Sequence, residues 1–379
     1  MLLLVSLQLS RGQFLNNRPQ QTTTSLNQAG DSLTINKQLQ ELGERLLKNK
    51  QGSIVTIEPS TGKILALVNV NRIDDGVNRA IAMDYSPGST FKVAQAITML
   101  SEKALVPEKT YPCRKGFWYD KIHIGCHPHK APLALEQAIA QSCNSYFCKA
   151  FQEFIDNRKL FPTRHRTIQR WHDYMSSMGL GQSLGVDIPG EAGGVLPDSA
   201  SLHNHFKGNW NGTSIMWVGM GQGEVTTTPL QLCNLAAVIA NRGYYITPHI
   251  HAGTPHNPLD AKYTTRHKSL GTPEAYDIVI RGMHAAVVNG TCASINTKDY
   301  KICGKTGTAE NHGKDHSIFM GFAPMEKPRI AVSVYIENGG FGADLAAPIA
   351  SLLIEQYING KLSKTSALYA SRWSSKAVK

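Results

Sequence analysis

Over residues 37–48 the apolar positions recur at spacings of three and four. Leu39, Leu42, Leu46 and Leu47 then share one face, which predicts an amphipathic helix ending before Gly52. Two β-rich runs follow, 53–58 and 63–68, and the turn-forming Pro59-Ser60-Thr61-Gly62 between them makes a hairpin. Phe91, Val93, Ala94, Ile97 and Leu100 mark a buried helix over 90–103, opened by Pro87-Gly88-Ser89. Similar patterns predict helices over 133–140, 146–154 and 230–240, the last started by Thr228-Pro229. The stretch 160–172 is more polar and reads as a surface insertion. Alternating runs over 317–323 and 329–337, around a turn at 324–328, predict two strands, and 346–358 a closing helix.

A helix, a hairpin, a helical middle, then strands and a helix describe an α+β fold whose single sheet is fed from both ends of the chain. Residues 1–36 have the Gln-, Asn-, Thr- and Ser-rich composition of a linker and are expected to stay outside the fold. The folded unit is expected over 37–360. Lys361, Lys364, Arg372, Lys376 and Lys379 give 361–379 the character of a basic polar tail.

With 379 residues, 41% of them apolar, the chain can bury one large core or two modest ones. Its formal charge of +11 suits a polyanionic neighbour, a nucleic acid or an anionic membrane among them. No basic run is interleaved with aromatics, however, so nucleic acid is not an expected partner. The opening MLLLVSLQLSRGQF is far shorter than the about 20 apolar residues of a membrane span. It also lacks the basic lead of a signal peptide. Either the chain works in the cytoplasm or a membrane anchor has been lost from its front; the chemistry below favours the second.

Ser89-Thr90-Phe91-Lys92 sets a Ser and a Lys three apart at a helix start, on one face and about 5–6 Å from each other. A desolvated Lys can serve as base for a Ser hydroxyl, and the backbone N–H of Ser89 can face a developing oxyanion. The spacing alone is weak evidence, because Ser60 and Lys63 share it inside a hairpin turn. Ser142-Cys143-Asn144 is likewise matched by Ser25-Leu26-Asn27 and Ser294-Ile295-Asn296, whereas Lys305-Thr306-Gly307 occurs once, on an expected strand. The bland alternative for Ser89 is a capping hydroxyl, and for Lys92 a solvated helix residue.

Order and context strengthen the set: PGSTFK, then AQSCNSYF, then GKTGTAE. This is the motif triple of β-lactamases and penicillin-binding proteins. The chain resembles class B penicillin-binding proteins, and Asn78-Arg79-Ala80, DIPGE (187–191), MGQGEVTTTPLQL (220–232) and DHSIFMGFAP (315–324) are similar to the penicillin-binding protein 2 type of side-wall elongation. The likeness covers roughly residues 37–358. It implies a β-lactamase-like serine transpeptidase fold, an antiparallel sheet flanked by helices with an all-helical lobe. It also implies that Ser89 attacks the D-Ala-D-Ala stem peptide, releasing the terminal D-Ala, before an amine of a neighbouring stem takes the acyl group. Lys92 would be the base, Ser142 the proton relay and Asn144 a holder of Lys92 and the substrate amide. Lys305, with the hydroxyls of Thr306 and Thr308, would hold the substrate carboxylate. Gly307 would leave the strand backbone open to substrate, and the Thr308 N–H would be a second oxyanion donor.

The same likeness implies β-lactams as inhibitors, a membrane glycan polymerase and elongation complex as partners, and work at the periplasmic face of the inner membrane. Family members carry an anchor and an elongated non-catalytic domain in front, where this sequence has a stub. Two other readings stand beside it: a D,D-carboxypeptidase or β-lactamase that passes the acyl group to water, and a non-catalytic β-lactam sensor or scaffold.

No cofactor is needed for this chemistry. Cys113, Cys126, His129 and Cys143 nevertheless offer the three-Cys, one-His donor set of a closed zinc site, with His127 close by. Their spacing is irregular; a structural metal in some elongation-type relatives supports the reading, and a Cys113–Cys126 disulfide is its rival. Cys148, Cys233, Cys292 and Cys303 read as core residues.

Overall fold

The apolar runs from the two ends of the chain meet in one five-stranded antiparallel sheet. The computed structural model describes residues 32–72, 75–119, 122–311 and 313–378. The sheet takes β1 (Gly52–Ile57) and β2 (Ile64–Val70) from the front of the chain. From the back it takes β7 (Cys303–Ala309), β8 (His316–Ala323) and β9 (Ile330–Ile336), in the order β2-β1-β9-β8-β7. β3 (Gly116–Tyr119) with β4 (Ile122–Gly125), and β5 (Tyr244–Ile246) with β6 (Arg266–Lys268), form two separate hairpin-like pairs.

Every residue of β1 and β9 is buried, which follows from a sheet covered on both faces. Side chains alternate between two cores. Ile54, Phe319, Val332 and Val334 face one that is closed by α1 (Lys37–Leu47) and α10 (Ala346–Asn359). Val55, Ile318 and Met320 face the other, larger one. There α8 (Pro229–Ala240), buried along all twelve residues, separates the sheet from the helical lobe. The lobe comprises α2 (Lys92–Ser101), α3 (Leu135–Ala140), α4 (Asn144–Ile155), α5 (Arg164–Ser177), α6 (Ser199–His205), α7 (Met216–Gly219) and α9 (Pro273–Asn289). Among the described residues no helix is long and apolar enough to cross a membrane.

Two expectations need correction. The polar stretch 160–172 is mostly the helix α5, because its few apolar residues, Ile168, Trp171 and Met175, fall on one stripe and are fully buried. Trp171 donates its indole N–H to Gln95 Oε1 at 2.9 Å and meets Phe91 edge-on. The tail 361–379 holds a further helix, α11 (Lys364–Ser375), capped by Ser363 and packed on α1 and α10. Ala370 and Val378 are buried there, and the fully buried Lys50 donates to the Trp373 carbonyl at 2.6 Å. Order, expected from near Ile35, is present at Thr34, whose N–H donates to Ile250 O at 2.7 Å; residues 1–31 of the expected linker lie outside the described residues.

Trp171→Ala is expected to cost about 3–5 kcal/mol, the usual range for emptying a large aromatic site in a core. Urea denaturation measures it, and a loss below about 1 kcal/mol would restore the surface-insertion reading.

Candidate active site

Ser89 stands in a 3-10 turn, Gly88–Phe91, that runs directly into α2. The turn lies hard against β7. A Cβ on Gly88 (φ +54°) would sit 2.5 Å from Thr308 O, so only glycine lets the nucleophile turn approach this closely. From the other side Gly88 N–H donates to Gly221 O at 2.9 Å, and Thr90 Oγ1 closes the turn on Pro87 O at 2.7 Å. Gly307 answers the same need: a Cβ there would come within 2.9 Å of Thr90 Cγ2 and 3.0 Å of Pro87 O. The glycine is required by packing on the Ser89 turn, in addition to any demand from a substrate.

Two lysines converge behind Ser89, both fully buried. Lys92 Nζ donates to Ser142 O at 2.9 Å, Ser142 Oγ at 3.4 Å and Asn144 Oδ1 at 2.5 Å. Lys305 Nζ, reaching from β7, donates to the same Ser142 Oγ at 2.7 Å and to Thr306 O at 3.0 Å. Among the described residues neither amine has a carboxylate partner. Burial therefore lowers the Lys92 pKa to about 8. Burial and then the Lys92 charge lower that of Lys305 well below the ordinary lysine value. Lys92 follows the half-buried Ser89 by one helical turn, and Ser142 Oγ joins the two amines.

The loop that presents Ser142 is unusual. Ser142 has φ +52°, a conformation that disfavours side chains, so neighbouring contacts must hold it. Asn144, the first residue of α4, donates its N–H to Cys126 Sγ at 3.3 Å and its side-chain amide to Gly125 O at 2.7 Å, leaving Oδ1 for Lys92. Cys143 caps α4 by accepting from Tyr146 N–H at 3.4 Å.

Around this loop the donor atoms of Cys113, Cys126, His129 and Cys143 all lie within 4.8 Å of one another. The Ser145 hydroxyl donates to Cys113 Sγ at 3.1 Å, and His129 Nδ1 lies 2.7 Å from Lys130 O, turning Nε2 toward Cys126 Sγ at 3.4 Å. The Cys143 thiol and the Asn144 N–H both point at Cys126, which favours its thiolate against burial and draws its pKa down to about 4. His127 stacks edge-on with His129 outside the four-donor cluster.

Thr306 and Thr308 are set apart by their surroundings. The Thr306 hydroxyl is largely buried and donates to Thr291 Oγ1 at 2.8 Å, whereas Thr308 is half-buried on the last strand of the sheet. The chance matches separate cleanly: Ser60 and Lys63 are exposed, Ser294 is exposed in a short 3-10 turn, and Ser25-Leu26-Asn27 lies outside the described residues.

Residues 52–355 match the penicillin binding protein transpeptidase domain. The chain belongs to that family. Among curated proteins it is 31% identical over 374 residues to the peptidoglycan D,D-transpeptidase MrdA of Acinetobacter baumannii, covering 84% of this chain and 52% of that protein. The MrdA of Escherichia coli is 26% identical over 373 residues, with 85% of this chain and 56% of that one covered. The chain thus spans about half the length of the curated relatives it matches. Among solved structures, Pseudomonas aeruginosa PBP2 in complex with WCK 5153 superposes with a TM-score of 0.76 at 29% identity, covering 89% of this chain and 78% of that one. The β-lactamase-like fold expected from the motifs is the fold of this transpeptidase family.

Sequence reasoning missed two parts of the site. Gly221 appeared only inside a family-like segment, with no hint that its carbonyl holds the nucleophile turn. Thr291 carried no local signal, because only the fold brings the end of α9 beside β7.

If Lys92 is the base for Ser89, covalent labelling of Ser89 by a penicillin accelerates with pH. For a lysine whose pKa is lowered to about 8, the neutral form grows as pH rises through that value. The labelling rate is expected to climb roughly fivefold over the unit below the pKa and to level off above it. A stopped-flow profile that stays flat across that window would remove Lys92 from the role.

Proposed function

We propose that this chain is the catalytic part of a peptidoglycan D,D-transpeptidase of the cell-wall elongation type, acting through a Ser89 acyl-enzyme on D-Ala-D-Ala stem peptides. One observation carries the reading: the two buried, carboxylate-free lysines that meet on Ser142 Oγ immediately behind Ser89. Lys92 takes the Ser89 proton as the hydroxyl attacks the penultimate D-Ala carbonyl. The N–H groups of Ser89 and Thr308 receive the oxyanion, each such donor contributing about 3–4 kcal/mol in acyl-transfer enzymes. The proton passes by way of Ser142 to the departing D-Ala amine, and Asn144 keeps Lys92 and the substrate amide in register. Lys305, Thr306 and Thr308 then hold the terminal carboxylate against β7, an edge strand along which an extended peptide can lie. An amine of a second stem peptide completes the transfer.

The kinship with MrdA proteins supports the elongation assignment, and with it a place at the periplasmic face of the inner membrane beside a glycan polymerase. β-Lactams, as mimics of the D-Ala-D-Ala amide, acylate the same serine.

The four-donor cluster suits a structural zinc ion held by Cys113, Cys126, His129 and Cys143. Zinc–sulfur bonds of about 2.3 Å in a tetrahedron place sulfurs about 3.8 Å apart, a spacing that donors grouped within 4.8 Å can meet with small adjustments. When bound, the ion supplies cross-linking rather than chemistry. Cys143 lies between Ser142 and Asn144, so the cluster braces the loop that presents both.

Incubation with a fluorescent penicillin and mass spectrometry should place one adduct on Ser89, lost in Ser89→Ala and kept in Ser60→Ala. Folded protein that forms no adduct would shift the reading to a non-catalytic scaffold. For the metal, the purified protein is expected to carry about one zinc per chain and to lose thermal stability on chelation, with Cys126→Ser binding at least tenfold more weakly. Metal-free protein whose Cys113 and Cys126 are joined by a disulfide would replace the zinc reading with the covalent one.

A further inference from the structure

Thr291 follows the end of α9, and its position is fixed from the side of the Ser142 loop. Its N–H donates to Ala140 O at 3.1 Å, and Gln141 Nε2 donates to Asn289 O at 3.0 Å. A Cβ on Gly290 would fall 2.2 Å from Ala140 O, so the backbone here presses directly on the end of α3. From this anchored position Thr291 Oγ1 meets Thr306 Oγ1 at 2.8 Å, with the buried Cys292 thiol beside both hydroxyls.

A hydroxyl has a single hydrogen and two lone pairs. With Thr306 donating to Thr291, its hydrogen is spent inward and lone pairs face outward, which repels an anion. A carboxylate beside Thr306 needs that hydrogen, so the pair must reverse: Thr291 donates to Thr306 Oγ1, and Thr306 donates to the carboxylate. A hydroxyl that is itself receiving a hydrogen bond is a stronger donor. We propose that Thr291 is a positioning residue for the substrate's terminal carboxylate, acting through the Thr306 hydroxyl. The inference rests on the transpeptidase reading and adds to it a group that lies outside all three motifs.

The experiment compares the second-order rate of Ser89 acylation by a penicillin bearing its free carboxylate with that by the methyl ester of the same penicillin. Both rates are taken on one preparation, so any loss of folded protein cancels in their ratio. In Thr291→Val, which keeps the shape and removes the hydroxyl, the acid-to-ester ratio is expected to fall about tenfold, the scale of one hydrogen bond to a charged group. Thr291→Ser restores it. Because Thr291 acts only through Thr306, adding Thr291→Val to Thr306→Val should change the ratio no further. An unchanged ratio in Thr291→Val, or independent losses that multiply in the double variant, would overturn the proposal. Wild-type protein inert to both compounds would instead overturn the transpeptidase reading, and the inference with it.

Discussion

Two lysine amines that are buried without a carboxylate partner among the described residues are the constraint around which this structure is arranged. Each charged amine taken from water costs several kcal/mol unless it is paired. Among the described residues Lys92 and Lys305 find two backbone carbonyls, an amide oxygen and a shared hydroxyl. The amines respond by a lowered affinity for protons, Lys92 to a pKa of about 8 and Lys305 well below the ordinary lysine value, which is the property the proposed base role of Lys92 uses. A protein carboxylate beside Lys92 would instead stabilise its ammonium and return its pKa toward the ordinary lysine value.

Keeping the amines dry determines much of the surrounding architecture. Lys92 belongs to α2, of which the first eight residues are buried, and Lys305 to β7, against which the nucleophile turn is pressed to glycine distance. Trp171 and Phe91 seal α2 from the outer side, and α9 lies against β7 and α3. The large core of the helical lobe is thus also the insulation of the site. A substitution that lets water in near Phe91 should therefore raise the Lys92 pKa as well as lower stability, linking packing to reactivity.

The sequence was legible wherever one local pattern determined the outcome. The 37–47 helix, the first hairpin, α8 and the two long strands follow from periodicity and turn chemistry, and the three motifs sit where their elements predict. It was misleading where composition and burial part company. α5 is polar along most of its length, yet a stripe as narrow as Ile168, Trp171 and Met175 suffices to bury it. The basic segment from 361 to 378 docks through Ala370, Trp373 and Val378 while Lys361, Lys364, Arg372 and Lys376 stay exposed. It was silent on contacts made only by tertiary approach. Nothing near Thr291 in the chain announces Thr306, whereas Cys113, Cys126, His129 and Cys143 were singled out by donor type and family likeness despite their irregular spacing, and their donor atoms lie together.

That convergence bears on the central problem. Ser142 must offer its carbonyl to Lys92 and its hydroxyl to both lysines, and to do so it takes a left-handed backbone that costs of order 1–3 kcal/mol. Such a residue holds its place only if its neighbours are fixed more firmly than itself. Here the next residue is a cysteine that caps α4 within the four-donor cluster, and the one after it is fastened through its N–H to Cys126 and through its amide to Gly125. The β3–β4 pair, which carries Gly125 and leads into Cys126, is thereby tied to the Ser142 loop by two hydrogen bonds from Asn144. A loop held this way can present a strained serine to two buried amines without relaxing, and the cost of the left-handed turn is offset by contacts that no motif residue could make alone.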